Sequence, residues 1–281
     1  MADKASSSLL LGAGDDGAEL SRNHRLALAI AAAPAVVVLV VVAGVCTAVG
    51  LAVEGVAVGV VAGIALWAWV WRGATARILR ALRTRPGGDA ELARAETLAE
   101  GLCATMGVEV PDILVVDDTA RQALAVGRSS ATAVLVVTSG LLEALDPVLL
   151  EGVLAHELVH VKWGDIAPAT VAAAVALPLA RLVPVAGLVH TLAGRGRELR
   201  TDRLAVSVTR YPPGLRDALA LMAEGPASRP TSPLAARGVG DATRWLWTVA
   251  LPEDPGASAL RSGLVDELDA PALRIAALDE W

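Results

Sequence analysis

Two long apolar runs dominate the first quarter of the chain, and a different rhythm follows them. Residues 26–53 carry no charge and are long enough to span a bilayer. Glu54 interrupts, and a second run fills 55–71, ending on Trp67, Trp69 and Trp71 as a membrane interface favours. Past Arg85-Pro86-Gly87-Gly88, apolar positions return at helical spacing in Leu92, Leu98, Leu102 and Met106. They predict a helix over 89–106, with Asp89 as cap and Gly107 as stop. Segments 113–116, 122–126 and 133–138 read as short strands, with a turn at Asp117 and Asp118 and a helix at 141–145. Helical spacing resumes in Leu149, Leu150, Val153, Leu154, Leu158 and Val161. Asp146 is the predicted cap, Pro147 sits in the first turn and Gly164 marks the end. A third apolar stretch covers 166–193, broken by Pro178, Arg181 and Pro184. After Tyr211-Pro212-Pro213 the chain is rich in Pro, Gly, Ala and Arg, and 225–240 reads as loop.

The predicted fold is α+β and mostly helical, with a small β-sheet and an N-terminal transmembrane helical hairpin. Residues 1–25 form a tail, 26–71 the hairpin, 72–88 a basic juxtamembrane linker and 89–281 a catalytic domain that includes the apolar stretch. Composition agrees, since a mean hydropathy of +0.55 is high for a soluble domain. The net charge of −6 gives a nucleic-acid partner no electrostatic support. Arg22 and Arg25 precede the first run, and Arg72, Arg77, Arg80, Arg83 and Arg85 follow the second. The loop between the runs has no cation. Both ends of the hairpin are therefore expected in the cytoplasm of a multi-pass cell-membrane protein. The excess of Arg over Lys is the usage of a GC-rich bacterial genome. Cys46 and Cys103 have neither metal-type nor disulfide-type spacing.

The candidate chemistry lies in His156-Glu157-Leu158-Val159-His160. Histidines at i and i+4 share one helix face and can grip one metal ion, with Glu157 beside them as a proton acceptor. A catalytic zinc takes three protein ligands and keeps one position for water. The best third candidate is Glu198, and Asp202 shares its face four residues on, where it can accept the outer N–H of a ligand histidine. The same run, Arg197 to Arg203, also has the pattern of a solvated charged face. His24 lies in the polar tail and His190 inside the apolar stretch.

Topology constrains this centre. A single crossing by 166–193 would leave His156 and His160 on the opposite side from Glu198. Each half of the stretch is short for a crossing at about 1.5 Å per residue. A re-entrant or surface-packed helical pair is therefore expected there.

The order of anchor, small sheet, H-E-x-x-H, apolar stretch and E-x-x-x-D resembles the HtpX-like zinc metalloproteases, relatives of the CAAX prenyl proteases. The residues that carry the likeness are 153–165, Arg197-Glu198-Leu199-Arg200-Thr201-Asp202-Arg203 and 137–143. The resemblance implies a zincin-like fold and one Zn2+ per chain on His156, His160 and Glu198. It implies Glu157 as catalytic base, Asp202 behind the ligands, and a substrate-receiving sheet edge at Ala123, Leu124 and Ala125. The family often has Asn-Ala-Phe-Ala where this chain has Gln122-Ala123-Leu124-Ala125. Many relatives carry Thr-His-Pro and then an Arg near the C-terminus; here Asp269-Ala270-Pro271 and Arg274 stand there, so Arg274 alone is left to steady the oxyanion. The implied activity is zinc-dependent endopeptidase cleavage of protein substrates at a bilayer, with membrane-protein quality control as the family's setting. The missing histidine keeps a second reading open, a protease-like membrane protein that binds zinc or a partner with little turnover. The strands could equally serve only the core.

Overall fold

The computed structural model describes residues 16–180, 189, 191–192, 197–236, 238–251 and 270–281. Arg181, Pro184, His190 and Asp269 lie outside the described residues. Helix α1 (Asp16–Ala48) and α2 (Ala52–Ala81) form the hairpin, and both are long and apolar enough to cross a membrane. Gly55, Gly59 and Gly63 line the face of α2 that meets α1. A Cβ on Gly59 would lie 2.8 Å from Leu39 Cδ1, so small residues let the two backbones close up. The outer surface is apolar and open, with Val37, Val40, Val45 and Val61 more than half exposed. Residues 72–81, read from sequence as linker, instead continue α2 as helix.

The rest of the chain builds on a four-stranded mixed sheet. Strands β1 (Arg85–Pro86), β2 (Asp112–Val116), β3 (Ala123–Val126) and β4 (Val134–Thr138) stand in the order β1-β2-β4-β3. β2 runs parallel to β4, whereas β1 and β3 pair antiparallel with their neighbours. Strand alternation sends Ile113, Val115, Ala123, Ala125, Leu135 and Val137 into one core. There they meet α3 (Asp89–Met106) and α5 (Pro147–Trp163). Leu124, Val126 and Val136 face the other core, with α6 (Ile166–Ala176) and the lower half of the hairpin at Val70, Ala74 and Ile78. Hairpin and sheet thus share one core rather than meeting through a linker.

The sequence signals for α5 hold atom by atom. Asp146 Oδ1 accepts the N–H groups of Val148 and Leu149 at 2.9 Å, and Gly164 ends the helix at φ 67°. From Gly152 to Val161 every residue of α5 is buried, so this helix runs through the middle of the domain. α4 (Ser139–Ala144) leads into it; α7 (Arg197–Thr209) and α8 (Pro212–Ala223) flank it. α9 (Val239–Thr243) begins in the last two residues of the stretch read as loop, and α10 (Pro271–Asp279) packs on α8 and α7. α6 is buried against the hairpin and the sheet, and its 11 residues are too few to cross a bilayer. Trp247 is part of the core, at 3% exposure.

Gly152 fixes the crossing of α5 and α8. A Cβ there would meet Leu215 N at 2.8 Å and Leu215 Cα at 2.9 Å, both backbone atoms. Gly152→Ala is expected to lower the melting temperature by a few degrees, since overpacking of about 1–3 kcal/mol outweighs roughly 1 kcal/mol of helix propensity. An unchanged or higher melting temperature in a thermal scan would refute this packing account.

Candidate metal centre

α5 and α7 bring three ligand atoms together. His156 Nε2 and His160 Nε2 lie 3.3 Å apart, one turn along the buried face of α5. Glu198 Oε2, from the first turn of α7, lies 3.0 Å from His156 Nε2 and 3.6 Å from His160 Nε2. A tetrahedral ion with bonds of about 2.0–2.1 Å sets its ligand atoms roughly 3.3 Å apart. The three observed separations bracket that edge.

The far side of each imidazole is held by a carboxylate. His160 Nδ1 lies 2.9 Å and 3.0 Å from the two oxygens of Asp165. His156 Nδ1 lies 2.8 Å from Asp202 Oδ1, off the line of a straight hydrogen bond. These contacts favour a proton on Nδ1 and turn each Nε2 lone pair toward the shared centre. Arg197 pairs with Glu198 Oε1 at 3.0 Å and lies 3.8 Å from Asp165. Arg274, 1% exposed, donates two parallel hydrogen bonds of 2.7 Å to Asp202.

The electrostatics ask for a cation. Burial alone would lower the His160 pKa, but Asp165 and Glu198 outweigh it and push the ring up to about 10. For His156 burial again pulls down, and the carboxylates of Asp202 and Glu198 win. Burial would raise Glu198, yet His160, His156 and Arg197 hold it well below the ordinary carboxylate range. Four carboxylates, Glu157, Asp165, Glu198 and Asp202, face two guanidiniums, Arg197 and Arg274. With neutral imidazoles, two negative charges remain in a largely buried site. A divalent cation balances them, and the residues fit a metal on both geometry and charge.

Glu157 is 2% exposed, and its Oε1 accepts a 2.6 Å hydrogen bond from the Thr248 hydroxyl. Ala123, Leu124 and Ala125 form the edge strand β3 beside α5. The Gln122 carbonyl bonds Thr138 N–H at 3.0 Å, so alternation turns the main-chain groups of Ala123 and Ala125 to the unpaired side. Gln122 Oε1 is buried without a hydrogen-bond partner among the described residues. Arg274 stands behind the metal ligands, 3.8 Å from Glu198 Oε2. Its guanidinium engages Asp202 and also the carbonyl of Thr248. His24 packs edge-on against Trp71, a place in the hairpin rather than in the centre.

Sequence reasoning missed Asp165, Arg197 and Thr248. Asp165 had a local signal, since the left-handed turn at Gly164 folds the next side chain back over the end of α5. Thr248 stands 91 residues from Glu157 and had none. Asp165→Ala is expected to weaken metal affinity by about 10–100-fold while all three ligands remain. Competition against a chromogenic chelator reads this, and wild-type affinity in the variant would remove Asp165 from the site.

The model of Peptidase family M48 matches residues 90–237, which contain all three ligands. Among curated proteins, a Protease HtpX homolog of Dictyoglomus thermophilum is 36% identical over 155 residues, covering 43% of this chain and 51% of the relative. A Protease HtpX homolog of Tropheryma whipplei is 35% identical over 172 residues, covering 48% and 59%. One of Kineococcus radiotolerans is 33% identical over 149 residues, covering 52% and 51%. The chain spans about half the length of these relatives. No solved structure matches it. With the family match covering more than half of its residues, and the ligand cluster inside that match, the chain belongs to peptidase family M48.

Proposed function

We propose that this chain is a zinc-dependent endopeptidase of a bacterial cell membrane, cleaving peptide bonds of protein substrates on the cytoplasmic side. The observation that carries this reading is the meeting of His156, His160 and Glu198 with Glu157 beside them. Two histidines and a carboxylate, with a carboxylate neighbour that is not a ligand, are the donor set of a hydrolytic zinc. When bound, zinc supplies Lewis acidity to a scissile carbonyl and acidifies water to a pKa of roughly 7.

The chain's own residues do the rest. His156, His160 and Glu198 hold the ion, and Asp165 and Asp202 orient the rings. Glu157 accepts a proton from the attacking water and returns it to the leaving amine. Ala123, Leu124 and Ala125 offer an edge on which an extended peptide can pair, which positions the scissile bond without reading much of its sequence. Such a site suits varied or unfolded protein segments, in keeping with membrane-protein quality control. The arginines at one end of the hairpin and the cation-free turn at the other support a cytoplasmic centre, with residues 1–25 on the same side. The apolar outer faces of α1 and α2 suit a lipid bilayer as the surrounding partner.

Glu157→Gln is expected to cut peptide hydrolysis by at least about 100-fold, the usual worth of a general base, while zinc stays bound at one ion per chain. Chelation of the wild type should remove activity, and added zinc should restore it. The reading is falsified if the variant keeps wild-type turnover, or if zinc-loaded wild type cleaves no unstructured peptide.

A further inference from the structure

β3 is the edge strand of the sheet, yet Ala123, Leu124, Ala125 and Val126 are all buried. A strand that receives substrate should have an accessible edge. What occupies it, among the described residues, is the segment that follows α9. Thr248 donates its main-chain N–H to the Ala123 carbonyl at 2.8 Å. Its hydroxyl donates to Glu157 Oε1 at 2.6 Å and also lies 3.0 Å from the Ala123 carbonyl. Its own carbonyl accepts from Arg274 Nη1. Thr248 is 2% exposed.

Each of these contacts matches what a substrate residue at the scissile bond would need. An extended peptide on β3 would give an amide N–H to the carbonyl of Ala123, because that group faces the unpaired side. The leaving amine must come within hydrogen-bond reach of Glu157 to take its proton. A substrate carbonyl would meet a cation near the ligands, and Arg274 is one. Thr248 fills the amide, base and cation contacts at once, from within the same chain.

We infer that residues 244–251 act as a built-in strap lying where the substrate strand binds, and that the strap must leave β3 before a peptide can enter. This rests on the peptidase reading of the centre. A peptide then competes with an intramolecular occupant, so its apparent affinity falls with the fraction of chains that are open. Flanking side chains anchor the strap: Leu246, Trp247, Val249 and Leu251 are buried in the two cores.

The test uses the zinc-loaded full chain in detergent. Thr248→Pro removes both the amide donor and the hydroxyl, whereas Thr248→Val removes the hydroxyl alone and keeps the branched shape. With an unstructured fluorogenic peptide, KM is expected to fall about tenfold in the proline variant and a few-fold in the valine variant, with kcat unchanged or raised. Unchanged or raised KM in both overturns the inference. So does a fall in kcat alone, which would make Thr248 a positioning residue for Glu157. A second arm needs no turnover and no proline variant. In the zinc-loaded Glu157→Gln protein, amide exchange over 244–251 should quicken at least about tenfold when a peptide hydroxamate is bound, while 134–138 keep their protection. Equal protection of 244–251 with hydroxamate bound sinks the strap. Faster exchange together with no hydrolysis in any form would remove the peptidase reading and leave the strap standing.

Discussion

The fold is organised around one electrostatic constraint: a helix buried on all sides along 152–161, carrying two imidazoles and a carboxylate, cannot be left without counter-charge. Every residue of α5 from Gly152 to Val161 is shielded from solvent. Uncompensated charge there would cost several kcal/mol per group. The surrounding elements supply the balance in layers, with Glu198 and Asp202 from α7, Asp165 from the turn after α5, and Arg197 and Arg274 outside them. With both imidazoles neutral, as metal ligation requires, the sum is short of neutrality by two charges, which a divalent ion would balance. Packing and chemistry thus ask for the same thing at the same place.

That constraint explains why the apolar hairpin and the sheet are not separable modules. α5 needs walls on every side. α3, α8 and one sheet face provide one set, and α7 closes the site. The opposite sheet face, itself apolar, is covered by α6 and by the lower half of α2. The hairpin does so, which sets the metal centre close to the end of the hairpin that carries the arginines. Asn23 on α1 donates to the Trp163 carbonyl at 3.0 Å, and Arg200 on α7 grips Glu19 at 2.6 Å and 2.8 Å. The start of α1 therefore touches both helices that carry ligand residues.

The sequence was most legible where periodicity and a special residue coincided. Asp146, Pro147 and Gly164 bounded α5 to the residue, and alternation located β2, β3 and β4 within one position. His156 with His160, and Glu198 with Asp202, could be picked out as pairs because helical spacing puts i and i+4 on one face. What escaped were features made by distant contact. The two-residue β1 is visible only through its pairing with β2, and 72–81 read as linker because arginines mask the small apolar stripe of Ala74 and Ile78. Thr248 had no signal because its hydrogen-bond partners come from three separate elements, β3, α5 and α10.

Arg274 shows how one cation can serve two surfaces. The resemblance assigns it to the oxyanion; in the structure its guanidinium is fixed by Asp202 on one side and reaches the Thr248 carbonyl on the other. Asp202 in turn touches His156, so the same arginine steadies a metal ligand from behind and meets the strap in front. These functions do not conflict. The bidentate pair with Asp202 fixes the plane of the guanidinium, and a fixed plane leaves Nη1 aimed at whatever carbonyl lies on β3. With the strap in place that carbonyl belongs to Thr248. With the strap displaced it would belong to the incoming peptide, and a donor already oriented needs no reorganisation to meet the charge that develops there. The absence of a histidine after His190 is then less of a deficit than it looks in the sequence, because the arginine is held by the same carboxylate that orients the metal's own ligand.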